Sequence, residues 1–422
     1  MAESTEVDVW PGEWVTARLD VELVGDAGLR DLAGLAVRRN PKRAHLVVSP
    51  VLGKHVPVEP RLARARAEEL GERAAALLDG RAEPLVLGYC ETATGLGHCV
   101  ADALGAPYLH STRRCPPGRA SVLDFEEKHS HATSHYLLPD DPGVLDQGGP
   151  IVLVDDEMTT GATVINTIRA IEERSHHEQY VVAALLDLRP AAAVAELDAC
   201  AAELGVRIDV VSLGRGEVLV PADVLVRGSE LVASLPLAPD SAPADRRGRV
   251  RRLDLSEVPG VPPVRHGGRH GFGMRDRVAL DAALGPWVTA LAALLGPGTV
   301  QVVGTEELMY LPLRLACGLA EERAAEGEDD RVTFSSTTRS PIAVVDEPGY
   351  AVRSVVRFPG HDGTDDAPRF AYNLGTGRFD HLVVVLDPDG DTPDAAAPGG
   401  VVDVLSRVTD DLVVLVLPAE AR

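Results

Sequence analysis

The sequence predicts two α/β domains, each built around a mostly parallel β-sheet. Short runs of Val, Ile and Leu alternate along the chain with Ala-, Leu-, Arg- and Glu-rich segments of helical character. The apolar runs are nearly continuous, which is typical of strands buried on both faces of a sheet. Residues 237–263 interrupt the alternation with Pro, Gly and charged residues, and this composition indicates an inter-domain linker.

The elements follow in a regular order within each half. In the first domain, residues 1–236, the strand PLVLGYC precedes the helix LGHCVADALG, IVLVDD precedes TVINTIRAIEER, and YVVAALLDL precedes AAAVAELDACAAELG. The second domain, residues 264–422, offers the strand TVQVVG, the helix ELMYLPLRLACGLAEERAAEG, the strand RVTFSS and two late strands, HLVVVLD and DLVVLVLP. Strands that alternate with helices indicate parallel sheets covered by helices.

Composition excludes several classes of protein. The formal net charge of −23 disfavours general binding to nucleic acid or to an anionic membrane. No apolar run reaches the ~18 residues of a membrane span, and the acidic start MAESTEVDVW lacks the features of a signal peptide. The five cysteines are scattered without a C-x-x-C pair, so no disulfide framework or zinc knuckle is indicated. We therefore expect a cytoplasmic protein.

The segment IVLVDDEMTTGATV, residues 151–164, carries the clearest functional signal. Asp155 and Asp156 end a buried strand, and the loops at the carboxyl ends of such strands hold ligands in open α/β sheets. The small and hydroxylated residues that follow lead into a helix, whose N-terminus attracts anions. Carboxylates repel phosphate, so the two aspartates must hold another part of the ligand, either sugar hydroxyls or Mg²⁺. A ribose 5-phosphate group meets both demands.

Three other interpretations start from the same letters. The run LVDDE is similar to the acidic pocket of response-regulator receivers, but that pocket lies near the start of its domain. It is also similar to a Walker B strand, but the chain contains no G-x-x-x-x-G-K-[ST] segment. A solvated strand end is the third alternative, and it leaves the run Thr-Thr-Gly-Ala-Thr unexplained.

The segment VLVDDEMTTGAT resembles the ribose-phosphate signature of type I phosphoribosyltransferases. The resemblance implies that Asp155 and Asp156 hold the 2′- and 3′-hydroxyls of the ribose. It also implies Mg²⁺, bound through the substrate, with the two aspartates as candidate contacts. It implies that five residues cradle the 5′-phosphate: Thr159, Thr160, Gly161, Ala162 and Thr163. Glu157, beside the two aspartates, is a further candidate for substrate binding.

A second loop and a basic cluster lie upstream. In the resembled enzymes, the loop that follows the strand PLVLG binds pyrophosphate, often through a non-proline cis peptide, although an ordinary strand-to-helix turn would fit the same letters. The candidates are Tyr89, Cys90, Glu91 and Thr92, with Arg113 after the next strand. The basic cluster is either an anion site that includes Lys54 or a solvated basic face, and its members are Arg38, Arg39, Lys42, Arg43, His45, Lys54 and His55.

The segment FEEKHSHATSHYLLP corresponds to the mobile hood loop of type I enzymes, which closes over the site and excludes water. By that resemblance, Lys128 neutralises pyrophosphate, and His129 or His131 donates a proton. Two alternatives remain open: a metal site, because His129, His131 and His135 form H-x-H-x-x-x-H, and a plain polar loop.

The combination of these motifs resembles an orotate-phosphoribosyltransferase-like family found near bacterial tellurite-resistance and stress genes. Its companion C-terminal domain is named for a Thr-Arg-Ser-Pro motif, which residues 338–341 supply here. We expect Arg269, Glu306, Thr338 and Arg339 to line a pocket for an anionic or nucleotide-like ligand. The alternative is a structural bridge between Arg339 and Glu306 or Glu307. A further hypothesis is that this domain is a diverged second copy of the first, with residues 383–393 nearest to the acidic signature.

The sequence therefore predicts transfer of a phosphoribosyl group between 5-phosphoribosyl diphosphate and a base, by a protein that the resemblance implies to be a homodimer. The base itself is not identified. The alternative is a regulator that binds the same ligand without catalysis and uses its C-terminal domain as effector. The candidate hood residues favour the enzyme, because a sensor needs no assistance to a leaving group.

Overall fold

The computed structural model describes eleven stretches of the chain: residues 9–39, 43–80, 82–113, 121–126, 134–236, 241–243, 245–325, 327, 331–363, 367–375 and 378–420. Within these stretches, no helix has both the length and the apolar character needed to cross a bilayer.

Among the residues that the structure describes, the first domain has ten strands and seven α-helices. The strands are β1 (Glu22–Gly25), β2 (Gly34–Val37), β3 (His45–Val48), β4 (Leu85–Gly88), β5 (Tyr108–His110), β6 (Leu123–Glu126), β7 (Ser134–Leu137), β8 (Ile151–Met158), β9 (Gln179–Asp187) and β10 (Arg207–Leu219). The helices are α1 (Glu13–Leu19), α2 (Leu29–Leu32), α3 (Pro60–Ala75), α4 (Ala93–Leu104), α5 (Ala162–Glu172), α6 (Ala191–Leu204) and α7 (Val224–Ser234).

Six of these strands form one sheet in the order β1-β10-β9-β8-β4-β5. Only β1 runs antiparallel to its neighbour within this sheet. Alternate residues of β8 enter two different cores, Val152 and Val154 on one face, Ile151 and Leu153 on the other. Burial on both faces explains the continuous apolar run and confirms the predicted parallel sheet. Two antiparallel ribbons, β2–β3 and β6–β7, accompany it.

The described part of the second domain has seven strands and four α-helices. The strands are β11 (Arg249–Asp254), β12 (Val300–Gly304), β13 (Val332–Ser336), β14 (Val355–Phe358), β15 (Arg369–Tyr372), β16 (His381–Leu386) and β17 (Asp411–Val416). The helices are α8 (Met274–Ala292), α9 (Tyr310–Ala325), α10 (Pro393–Ala396) and α11 (Val401–Leu405). Five strands form an all-parallel sheet in the order β11-β17-β16-β12-β13, which confirms a second α/β domain.

The segment expected to be a linker, residues 237–263, is only partly one. It contains β11, which pairs along its full length with β17 and closes one edge of the second sheet. An edge strand faces solvent on one side, so it tolerates the arginines of RVRRLD, whose charge suggested a linker in the sequence. The second structural unit therefore begins before the predicted boundary at residue 264.

The two domains share one hydrophobic core. Residues from α4 and from α9 belong to the same buried cluster. At its centre the imidazole of His98 lies flat against the ring of Tyr310, with centroids 3.4 Å apart, and the edge of Phe272 closes over it at 4.4 Å. Arg277 of the second domain is 3.0 Å from Asp102 of the first. Because the core is common, the second domain is best studied within the full chain.

Candidate functional site

The acidic signature lies inside β8 rather than after it. The strand continues through Met158, and Asp155 and Glu157 pair with Ala184 and Leu186 of β9. Burial nevertheless changes at the predicted place, because residues 151–154 are buried and the three acids are only partly so. The backbone N–H of Asp156 donates to a carboxylate oxygen of Asp155, 2.9 Å away. The two carboxylates are therefore held by regular strand geometry at the edge of the core.

The predicted phosphate loop ends at the N-terminus of α5. Gly161 has a φ of +68°, a left-handed conformation that a residue with a Cβ adopts at a cost, and α5 starts at the next residue. The hydroxyl of Thr160 accepts a hydrogen bond from the N–H of Ala162, 3.3 Å away. Thr159, Gly161 and Thr163 complete a short turn at the positive end of the helix dipole.

A buried arginine behind this loop escaped the sequence prediction. Arg189 pairs with Asp187 at 2.8 Å, and both side chains are nearly inaccessible. Its Cδ lies 3.6 Å from the point where a Cβ on Gly161 would stand, so it packs against the turn. The signal was present as the polar sequence DLRP at the carboxyl end of β9, beside the signature strand.

The basic cluster reaches the signature through one of its arginines. The Arg43 guanidinium is 2.5 Å from the Glu157 carboxylate, and Arg38 donates to the Ser340 hydroxyl at 3.3 Å. Burial and the neighbouring Arg43 and Arg38 lower the pKa of His45 to about 4, and burial lowers the pKa of His55 well below its usual range. The two histidines are therefore neutral at pH 7, so they contribute no positive charge.

The predicted pyrophosphate loop has the expected non-proline cis peptide, between Cys90 and Glu91. Lys54 donates to the Thr92 hydroxyl and lies 3.7 Å from the Glu91 carboxylate. Burial raises the pKa of Cys90 to about 12, so the thiol stays protonated at pH 7. Tyr89 is buried beneath the loop. Glu91, Thr92 and Lys54 are thus the polar groups at this end of the site.

Three predicted hood residues, Lys128, His129 and His131, lie outside the described residues. The ribbon of β6 and β7 flanks that segment. His135, the third histidine of the proposed metal motif, is buried on β7 and contacts the Ser111 hydroxyl at 2.9 Å. Among the residues that can be described, no three His, Cys, Asp or Glu side chains are grouped as metal ligands.

Mg²⁺ fits the carboxylates of the signature. This ion keeps most of its water or phosphate ligands and needs only one or two carboxylates from the protein. The partly buried Asp155 and Asp156 offer hard oxygen ligands of that kind near the carboxyl end of β8.

Two candidates of the second domain, Arg269 and Arg339, pair with the adjacent, buried glutamates Glu307 and Glu306. Glu306 pairs with Arg339 at 2.6 Å and with Arg369 at 2.5 Å, so the predicted structural bridge exists. Arg269 is 3.2 Å from Glu307. No sequence motif indicated a role for Arg369, because it lies 63 positions from its partner.

The same cluster extends into the first domain. The hydroxyl of Thr338 donates to Glu91 at 3.2 Å, and Arg339 lies 3.6 Å from that carboxylate. Glu307 accepts hydrogen bonds from the Thr112 hydroxyl at 2.8 Å and from the backbone N–H of Arg113 at 3.0 Å. The Thr-Arg-Ser-Pro segment therefore touches the predicted pyrophosphate loop directly.

The mostly parallel sheet, with two acids and a Thr-rich turn at the end of β8, is the arrangement that we expected of the phosphoribosyltransferase class. Residues 32–217 match the family model described as phosphoribosyl transferase, and residues 266–405 match the TRSP domain described as C-terminal to it. The chain belongs to the family in which these two domains follow one another. No curated protein matches this chain.

Several solved structures are similar to the first domain. Adenine phosphoribosyltransferase from Leishmania tarentolae is 19% identical, with a TM-score of 0.32, over 48% of this chain and 88% of its own. The enzyme of the same name from Rhodothermus marinus is 20% identical, with a TM-score of 0.28, over 47% and 95%. Orotate phosphoribosyltransferase from Aeropyrum pernix is 20% identical, with a TM-score of 0.26, over 40% and 79%.

Proposed function

We propose that the protein transfers a phosphoribosyl group between 5-phosphoribosyl diphosphate and a base, in the synthesis or salvage of a nucleotide or nucleoside-like metabolite in the cytoplasm. One observation carries the proposal. β4 and β8 are neighbours, with Gly88 paired to Val154, and the N–H of Tyr89 donates to the Val154 carbonyl at 3.1 Å. The predicted pyrophosphate loop and the predicted ribose site therefore begin side by side, as one substrate requires.

Each part of the site then has a distinct task. Asp155 and Asp156 accept hydrogen bonds from the ribose hydroxyls and orient the anomeric carbon. The turn from Thr159 to Thr163 holds the 5′-phosphate with backbone N–H groups and hydroxyls. Lys54 offsets charge at the pyrophosphate end. Positioning of this kind supplies much of the rate acceleration in a substitution reaction whose charge develops on the substrate rather than on the protein.

The hood segment and the metal complete the proposal. Lys128 approaches the leaving pyrophosphate, His129 or His131 supplies a proton, and closure of the segment excludes water. Mg²⁺, when bound, neutralises charge on the pyrophosphate. We also propose a homodimer, on the resemblance alone, and light scattering would measure its mass.

Substitution of the signature aspartates tests the proposal. Asp155→Asn and Asp156→Asn keep the volume but remove the charge and half of the acceptor capacity. Calorimetry with 5-phosphoribosyl diphosphate and Mg²⁺ should show at least a ~10-fold loss of affinity, or ~1.4 kcal/mol. Asp146→Asn is the control. Asp146 pairs with Arg174 on the surface and precedes β8, so it lies toward the amino end of this strand, whereas the signature aspartates lie toward its carboxyl end. Full affinity in both signature variants would contradict the proposal.

A binding protein without catalysis is the second candidate function. The hydrogen bond between Thr338 and Glu91 favours it, because ligand at the loop would act directly on the second domain. Release of pyrophosphate from 5-phosphoribosyl diphosphate, measured with a panel of purine and pyrimidine bases, separates the two. Mass spectrometry of small molecules retained by the purified protein identifies the base to test first. Tight binding without turnover of that base would favour the regulator.

A further inference from the structure

The two domains repeat the same strand order. We call the strands β4, β5, β8 and β9 of the first sheet, with their helices, one unit. Across the sheet these strands lie in the order β5-β4-β8-β9, so the second strand in the chain is outermost, followed by the first, third and fourth. In the second sheet, β13-β12-β16-β17 has the same order. In both units a helix precedes the first strand and another follows it, α3 and α4 in one, α8 and α9 in the other. The domains are therefore two versions of one α/β unit.

Backbone contacts between the units are reciprocal. Val58, just before α3, exchanges two hydrogen bonds with Phe334 of β13, at 3.0 and 2.8 Å. Phe272, just before α8, exchanges two hydrogen bonds with Tyr108 of β5, both at 2.8 Å. In each unit, a residue just before the first helix pairs with the second strand of the other unit. A contact of this kind is the internal equivalent of the isologous interface of a two-fold dimer.

Polar contacts repeat the same exchange. Glu91 follows the first strand of its unit and meets Lys54 of its own domain at 3.7 Å and Thr338 of the other at 3.2 Å. Glu307 follows the first strand of its unit and meets Arg269 of its own domain at 3.2 Å and Thr112 of the other at 2.8 Å. Both threonines follow the second strand of their unit, and each precedes an arginine.

The two units differ where the acidic signature stands. β16 occupies the position of β8, yet it is followed by Asp387-Pro-Asp-Gly rather than by paired acids and a Thr-rich turn. Asp387 accepts a hydrogen bond from the N–H of Gly390 at 2.7 Å and closes its own loop. The second unit therefore has the framework of a partner subunit without the ribose-phosphate site.

We propose that the second domain is a built-in partner that completes the pyrophosphate end of the first domain's site, with Arg339 as its contributed cation. This proposal rests on the proposed function. Lys54 and Arg339 flank the Glu91 carboxylate from opposite domains, at 3.7 and 3.6 Å. A pyrophosphate carries more charge and more acceptor oxygens than a carboxylate, so it competes for both cations when it binds at this loop.

The arginines around Glu306 prepare this site. Arg339 and Arg369 both pair with Glu306, and each also lies near a second carboxylate, Arg339 at 3.6 Å from Glu91 and Arg369 at 3.9 Å from Asp362. Because its guanidinium is planar, Arg339 can bridge two phosphate oxygens, which a lysine cannot do.

Calorimetry with three separate probes tests the inference in the full-length protein. Arg339→Met should weaken binding of Mg²⁺-pyrophosphate and of 5-phosphoribosyl diphosphate at least ~10-fold, and leave ribose 5-phosphate within ~2-fold. Arg277→Met is the matched control, because it breaks another ion pair between the domains, with Asp102 near the far end of α4. It should leave all three affinities within ~2-fold.

A second variant covers the chance that Arg339→Met does not fold. Arg339→Lys keeps the positive charge beside Glu306 but loses the planar guanidinium that can donate to two phosphate oxygens at once. It should still weaken pyrophosphate binding ~3-fold or more. Pyrophosphate affinity unchanged in the folded variants, with wild-type protein binding 5-phosphoribosyl diphosphate, would overturn the inference and leave the proposed function standing. Wild-type protein that binds neither 5-phosphoribosyl diphosphate nor ribose 5-phosphate would overturn both.

Discussion

Arg339, which is half-buried, forms an ion pair with the buried Glu306, with 2.6 Å between the guanidinium Nε and a carboxylate oxygen. Glu306 adopts a left-handed conformation, with a φ of +53°, and its second carboxylate oxygen is held by Arg369 at 2.5 Å. The Thr-Arg-Ser-Pro segment is thus fixed in place before any ligand arrives. Fixed side chains lose little entropy on binding, so the same pair that stabilises the domain also prepares Arg339 for an anion.

Replacement of Glu306 should destabilise the whole chain. Glu306→Gln leaves the buried Arg369 and the half-buried Arg339 without their shared carboxylate, and breaking a buried pair such as Arg369–Glu306 costs about 3–5 kcal/mol of unfolding free energy. Glu347→Gln breaks the exposed pair with Arg18 at 3.2 Å and should cost less than about 1 kcal/mol. Chemical denaturation measures both values. A loss in Glu306→Gln no larger than that of the control would show that the buried pair adds no stability.

The sequence predicted the local features of this protein well. The alternation of strands and helices follows from short segments whose residues are neighbours in the chain, and the cis peptide at Cys90–Glu91 lies in the loop where the resembled enzymes often have one. The pairing of domains did not follow, because Thr338 and Glu91 are 247 positions apart. Nothing in either segment specifies its partner until both sheets are folded.

Two boundary errors have a common physical cause. β8 continues through its acids, and β11 lies in the predicted linker, because backbone pairing with a neighbouring strand holds both segments extended. Side-chain polarity signals exposure, and a strand can be extended and exposed at its end or at a sheet edge. Polarity therefore marked the change from buried to partly buried residues correctly but placed the strand ends wrongly.

Acid should destabilise the protein through His98. Burial lowers the pKa of this imidazole well below 6.5, and Arg277 and Arg314 act in the same direction. Below pH 6.5, His98 binds a proton in the unfolded chain but not in the folded protein. Each further unit of decrease in pH therefore lowers the free energy of unfolding by about 1.4 kcal/mol through this residue. His98→Phe keeps the aromatic contact with Tyr310 and should reduce the loss between pH 7 and pH 5.

Denaturation of both proteins at pH 7 and pH 5 gives the comparison. His176→Gln serves as the control for removal of an exposed histidine, whose side chain contacts Glu172 at the surface. An equal loss of stability in wild type and His98→Phe would show that His98 does not carry this dependence.

Closure of the hood segment can be followed with a lysine-specific protease. The chain has three lysines, Lys42, Lys54 and Lys128, and Lys54 is largely buried. We expect 5-phosphoribosyl diphosphate with Mg²⁺ to slow cleavage after Lys128. Lys128→Ala should reduce turnover by about 100-fold or more while affinity changes little, because the residue acts as charge develops on the leaving group. Full turnover in this variant would remove Lys128 from the mechanism.

Gly161 should be needed for its backbone conformation at the phosphate loop. Gly161→Ala forces a Cβ into a φ of +68°, which costs about 1–2 kcal/mol, while the nearest side-chain atom, Cδ of Arg189, is at an ordinary contact distance of 3.6 Å. The loop can relieve that cost by leaving its conformation, so ribose 5-phosphate affinity should fall about tenfold. Gly205→Ala is a close control, because Gly205 has a φ of +69° with open space around its Cβ, at the end of α6. Both variants should lose similar unfolding free energy in denaturation experiments, and only Gly161→Ala should lose binding in calorimetry. Equal affinity in the two variants would mean that the turn does not hold the phosphate.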